Sequence, residues 1–109
     1  MSGQVYLDFE FNKTKERDLN LVCCSTTVIN KDTGLNEEKD WWLHYNTFAY
    51  EMLKYYLQGH QDKTFFSWSV EAEARSLLAL DLDPLKFNWV DLFLEYRMLK
   101  NHNHDHMLS

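Results

Sequence analysis

Gln4-Val5-Tyr6-Leu7-Asp8-Phe9-Glu10-Phe11 alternates apolar and polar side chains along its length. Val5, Leu7, Phe9 and Phe11 fall on one face and Tyr6, Asp8 and Glu10 on the other, which is the period of a β-strand. That period sets Asp8 and Glu10 side by side, about 7 Å apart on one face. Two carboxylates fixed in this way repel each other. Divalent cations that prefer oxygen ligands, Mg²⁺ or Mn²⁺, convert the repulsion into coordination. The same alternation also describes a half-exposed strand whose carboxylates are simply wet, so the rest of the chain has to decide.

The chain has 109 residues, enough for one domain with one core. Apolar residues make up 45% and aromatics 16%, so a packed interior is expected. Three Gly and one Pro leave no linker or low-complexity tract. No apolar run approaches the roughly 20 residues of a membrane span. Asp8 and Glu10 interrupt what would be a leader, so a cytoplasmic protein without membrane contact is expected. Cys23 and Cys24 are adjacent and fall on opposite faces of a strand, which argues for two free thiols. The net charge of −6 speaks against a general nucleic-acid coat protein, which needs a basic surface to displace counterions. It leaves room for an enzyme that cuts nucleic acid, because bound metals invert the charge of an acidic site.

Taken in order, Asn12–Asn20 is polar and reads as a hairpin loop. Leu19–Asn30, rich in Val, Ile and Thr, reads as a second strand. Asn30-Lys31-Asp32-Thr33-Gly34 is a turn with Gly34 at positive φ. Glu38–Tyr45 is a third strand, completing an antiparallel meander. The period then changes. Thr47 caps a helix through Phe48, Met52, Leu53, Tyr56 and Leu57 that stops at Gly59. Lys63–Trp68 is a fourth strand. Ser69 caps a second helix from Val70 to about Leu80, ended by Asp81-Leu82-Asp83-Pro84 because the residue before proline avoids helical backbone. Phe87–Val90 is a fifth strand, Asp91 opens a third helix through Leu99, and the polar tail Asn101–Ser109 frays. The order β-β-β-α-β-α-β-α predicts an α/β protein with a mixed sheet and flanking helices.

This order resembles the ribonuclease H-like fold. The motif Tyr6-Leu7-Asp8-Phe9-Glu10 resembles the first signature of the DEDD-type 3′–5′ exonucleases, which include the proofreading domains of bacterial and phage DNA polymerases. The resemblance implies that Asp8 and Glu10 ligate two catalytic metals, Mg²⁺ or Mn²⁺. It also implies a third acid at the start of the helix after the fourth strand. In Ser67-Trp68-Ser69-Val70-Glu71-Ala72-Glu73-Ala74-Arg75-Ser76-Leu77 two glutamates compete, and the Asn and aromatic residue usual in the family are missing. Glu73 has Leu77 four positions on, as the family does, whereas Glu71 has Arg75. At about 100° per residue the apolar arc runs through Leu80, Leu77, Val70, Ala74 and Leu78. Glu73 falls inside that arc and Glu71 just outside, where an acid in the first turn is favoured by the helix dipole. Glu73 is therefore preferred over Glu71.

Asp91 resembles a helix-opening Asp of family-A polymerase exonuclease domains, and reads as an N-cap rather than a metal ligand. The family's fourth acid has no counterpart before Ser109. His102, His104, Asp105 and His106 are candidates that read more simply as a solvated tail. The resemblance thus implies the N-terminal part of a longer polymerase or nuclease, with a single-stranded DNA 3′ end as substrate and a polymerase domain in the same chain. Phe65, Phe66 or Trp68 would stack on a base or sit in the core. Two other classes stay open. One is a non-catalytic docking or structural domain presenting Trp41-Trp42 and Tyr55-Tyr56. The other is a small acidic protein that binds no metal.

Overall fold

The computed structural model describes residues 3–13 and 19–108. The chain is an α/β arrangement with a five-stranded mixed sheet and three helices. Strands β1 (Gly3–Lys13), β2 (Leu19–Asn30) and β3 (Asn36–Trp42) come first. They are followed by helix α1 (Thr47–Gly59), β4 (Thr64–Ser67), α2 (Val70–Ala79), β5 (Asn88–Asp91) and α3 (Leu92–Leu108). Of the expected loop over Asn12–Asn20, residues 14–18 lie outside the described residues.

The sheet order is β3-β2-β1-β4-β5, so the quoted strand β1 is central. It pairs antiparallel with β2 and parallel with β4, the neighbour that the sequence requires if the second helix is to reach Asp8. Alternation then sorts the faces. Val5, Leu7 and Phe9 join Cys24 and Val28 of β2 and Phe65 of β4 in the core. Helix α1 adds Leu53 and Leu57 to this face and α2 adds Leu77, all three fully buried. Each such side chain contributes roughly 1.5–3 kcal/mol through its removal from water. Tyr6, Asp8 and Glu10 face the other way and are exposed. The thiols divide as expected, with Cys24 buried, Cys23 half-buried and both free.

The register of β1 against β2 slips by one residue after Glu10, leaving Val22 as a bulge. The Val22 carbonyl accepts N–H bonds from Leu43 at 2.9 Å and His44 at 3.1 Å. These bonds and Tyr45, at φ 52°, end β3 at Trp42, short of the predicted Tyr45. The turn also moves the first helix cap. Asn46, not Thr47, accepts the Ala49 N–H at 3.1 Å. Both residue types cap well, and the turn geometry selects the earlier one. Gly34 lies at φ 72°, as the turn requires.

Helix α2 ends before the proline acts on it. Asp81, at φ 63°, supplies a left-handed C-terminal residue. Its N–H bonds to the Leu78 carbonyl at 3.0 Å, and the Leu82 N–H returns to Leu77 at 2.9 Å, a Schellman motif. Pro84 instead starts a short 3₁₀ turn, Pro84–Lys86, capped by Asp83. The third helix runs to Leu108, past the expected end at Leu99, and neither Gly nor Pro follows Pro84 to stop it. Among the described residues no helix is long and apolar enough to cross a membrane.

Candidate metal centre

Asp8 and Glu10 occupy alternate positions of β1 on the face turned away from α1 and α2. Asp8 lies opposite Ser25 and Glu10 opposite Cys23 in β2. Both are exposed, and neither carboxylate has a hydrogen bond or ion pair to another described residue. Beside Asp8 opens a groove of about 310 Å³, lined by Tyr6, Ser25, Thr27, Phe66 and Trp68. Tyr6 and Phe66 are register partners, and their rings stack with centroids 5.0 Å apart and planes 18° from parallel. Phe65 is core, Phe66 a half-buried part of this floor, and Trp68 is exposed against Phe93 and Tyr96 of α3. The three aromatic residues therefore play three different parts.

Glu73 reaches the strand from the other side. β4 pairs with β1 only as far as Tyr6–Phe66, while β1 runs on to Lys13. Past that point the β1 edge needs a partner for its N–H groups. Glu73 supplies one: its Oε1 accepts the Phe9 N–H at 3.1 Å. Its Oε2 accepts a short hydrogen bond from the Ser67 hydroxyl, and Ser67 Oγ in turn accepts the Ser69 N–H at 3.1 Å. Glu73 is 4% exposed and Ser67 is 1% exposed. Burial holds the Glu73 carboxyl above its ordinary range, and the nearby Asp8 charge pushes the same way; the Ser67 and Phe9 hydrogen bonds pull it back. Burial likewise pushes the Cys24 thiol up, with Glu73 and Asp8 adding to the effect.

Glu71 is exposed and bonds to Arg75 at 2.8 Å, one helical turn on. Of the two glutamates, Glu73 is the one facing β1. The inward arc of α2 is not quite the predicted one. Glu73, Ser76, Leu77 and Leu80 are buried, whereas Leu78 is 62% exposed at its margin. Asp91 joins three elements rather than two: its Oδ1 caps α3 at the Leu94 N–H, 3.0 Å, and its Oδ2 accepts the Val70 N–H, 3.1 Å. It does for α2 what Ser69 was expected to do, since Ser69 makes no side-chain cap. The side chains of His102, His104, Asp105 and His106 lie outside the described residues. Among the described residues no three His, Cys, Asp or Glu side chains form one ready-made metal cage. Ser67 was not singled out by the sequence. A serine ending a strand carries no signal until its neighbour across the splayed edge is known.

No protein-family model matches the chain, and no curated protein matches it.

Proposed function

We propose that this chain is a ribonuclease H-like domain of the DEDD type, serving metal-dependent 3′–5′ exonucleolysis of single-stranded DNA ends within a longer polymerase or nuclease. The observation that carries this reading is the anchoring of Glu73 to the backbone between Asp8 and Glu10. A third carboxylate is thereby brought to the strand that already holds two. The donor chemistry fits a hard divalent ion, since Asp8 and Glu10 offer carboxylate oxygens that no described group engages. Glu73 has both oxygens committed to Phe9 and Ser67, so its role toward a metal would run through water. When bound, Mg²⁺ or Mn²⁺ supplies an activated water and stabilises charge developing on the phosphodiester. Asp8 and Glu10 would hold the ions, Glu73 would fix the local backbone and orient a metal-bound water, and the Tyr6–Phe66 floor would receive a base beside Asp8.

Calorimetry tests the reading directly. Wild-type chain is expected to bind Mn²⁺ weakly, with Asp8→Asn reducing the affinity at least tenfold, a change of about 1.4 kcal/mol. Equal binding by the two proteins would make the strand carboxylates ordinary surface groups. Mn²⁺-dependent shortening of a 3′-labelled oligonucleotide, absent in Asp8→Ala, is the corresponding activity readout.

A second reading, a docking domain, is favoured by one observation. On α3, Leu94, Met98 and Leu99 are 54%, 67% and 65% exposed. The aromatic pairs expected to serve it are only half available, since Trp41 and Tyr56 pack against each other at 5.2 Å while Trp42 and Tyr55 are exposed. Absent Mn²⁺ binding would favour this reading over the first.

A further inference from the structure

A cavity of about 420 Å³ opens between the β2–β3 turn and the C-terminal end of α1, away from Asp8 and Glu10. Val28 and Leu35 form its apolar side, and Asn30, Thr33, His60 and Lys63 line it with polar groups. Those polar groups are left mostly as donors. Asn30 Oδ1 accepts the Asp32 N–H at 2.9 Å and the Thr33 N–H at 3.3 Å, so the unused half of that side chain is its NH₂. Thr33 Oγ1 accepts the Leu35 N–H at 3.3 Å, which leaves its hydroxyl proton to give. The Lys63 side chain is only 12% exposed, and its ion pair with Asp62, at 3.7 Å, is longer than a hydrogen bond. His60 packs edge-on against Tyr56, and its buried Nδ1 has no hydrogen-bond partner among the described residues. The one carboxylate of the wall, Glu37, is already engaged by the Tyr56 hydroxyl and lies 3.8 Å from Lys39.

A pocket of this size, with an apolar side and several convergent donors, is the usual form of a small-molecule site. We propose that it binds a small molecule through an oxyanion head, phosphate or carboxylate, held by Lys63, His60 and Asn30, with the apolar part of the ligand against Val28 and Leu35. This site is independent of the carboxylates on β1. The charged groups facing His60 are Lys63, Glu37, Asp62 and Lys39. Burial and then Lys63 hold its imidazole below the ordinary histidine range, against the opposing pull of Glu37 and Asp62. An anion between Lys63 and His60 cancels the repulsion and favours the imidazolium. Ligand binding therefore draws a proton onto His60, and affinity rises as pH falls through the histidine range.

The experiment follows the histidine side chains of the full chain by NMR, in EDTA, during titration with inorganic phosphate, acetate and phenyl phosphate. The expected result is a saturable rise of the His60 pKa with no change at His44, stronger for phenyl phosphate than for inorganic phosphate. Lys63→Met should weaken phenyl phosphate binding at least tenfold, and Lys63→Arg should restore most of it. Selectivity between phosphate and acetate identifies which head group the site takes. No saturable change at His60 at about 50 mM phosphate, far above a millimolar Kd, overturns the proposal. Equal shifts at His44 and His60, which signal ionic strength alone, overturn it as well. Because both histidines are read in the unmutated chain, failure of Lys63→Met to fold does not remove the test.

Discussion

Phe65→Ala is expected to destabilise the fold by about 3–5 kcal/mol, the range for removing a fully buried aromatic side chain. That is a large part of the roughly 5–15 kcal/mol that holds a domain folded. Phe65 is completely buried, and its ring meets Phe87 at 5.0 Å and Trp89 at 5.7 Å, both edge-on. Its backbone pairs with Val5 on one side and Trp89 on the other. Truncation therefore leaves a void at the seam of three strands, which the neighbouring backbone cannot close. Phe66→Ala is the control one residue along. Phe66 lies on the opposite face, half-buried on Tyr6, and should cost clearly less than Phe65, because only part of its ring leaves water and the stacked pair adds about 0.5–1.5 kcal/mol beyond that burial. Urea midpoints at unchanged slope give the comparison. Similar losses in the two variants would contradict the assignment of the sheet faces.

The second large effect is at Glu73. Alanine there leaves the Phe9 N–H and the Ser67 hydroxyl without their acceptor and opens a small void, at a cost on the order of 2–4 kcal/mol. Glutamine keeps an acceptor for Phe9 and cannot ionise. The pH dependence separates these cases in metal-free buffer. Because the folded protein holds the Glu73 proton more tightly than the unfolded chain, its contribution to stability is complete below the ordinary value of 4.5. It declines as pH rises through the higher folded value. Glu73→Gln should remove that decline, so thermal denaturation from pH 4 to pH 8 should be flatter than in wild type. A variant as pH-dependent as wild type would show that Glu73 ionisation is not coupled to folding.

Much of this architecture was legible in the sequence, and the reason is local. Strict alternation in β1 fixes which side chains enter the core, and the change from period two to helical spacing after Tyr45 marks where the meander ends. Glu73 was legible too, as a carboxylate within an apolar arc. What escaped reading depended on partners distant in the chain. Asn46 displaced Thr47 as a cap because Val22 turns the chain at Leu43. Asp91 replaced Ser69 as the acceptor for α2 because β5 brings it alongside Val70. Ser67 gained its role only through a strand ending where another continues. None of these has a signature in a window of ten residues.

The central position of β1 also bears on how the chain comes together. Its partner on one side is near: Asn12 pairs with Asn20 across a short connection. Its partner on the other side is far, since Val5 pairs with Phe65 about sixty positions on. Loop-closure entropy grows with the logarithm of the enclosed length. The β1–β2 ladder thus forms at low entropic cost, while the parallel seam waits until β3 and α1 have shortened the path to β4. Folding is then expected to begin in the meander and to close at the seam. Chevron analysis would show it as slower folding for Val28→Ala and mainly faster unfolding for Phe65→Ala.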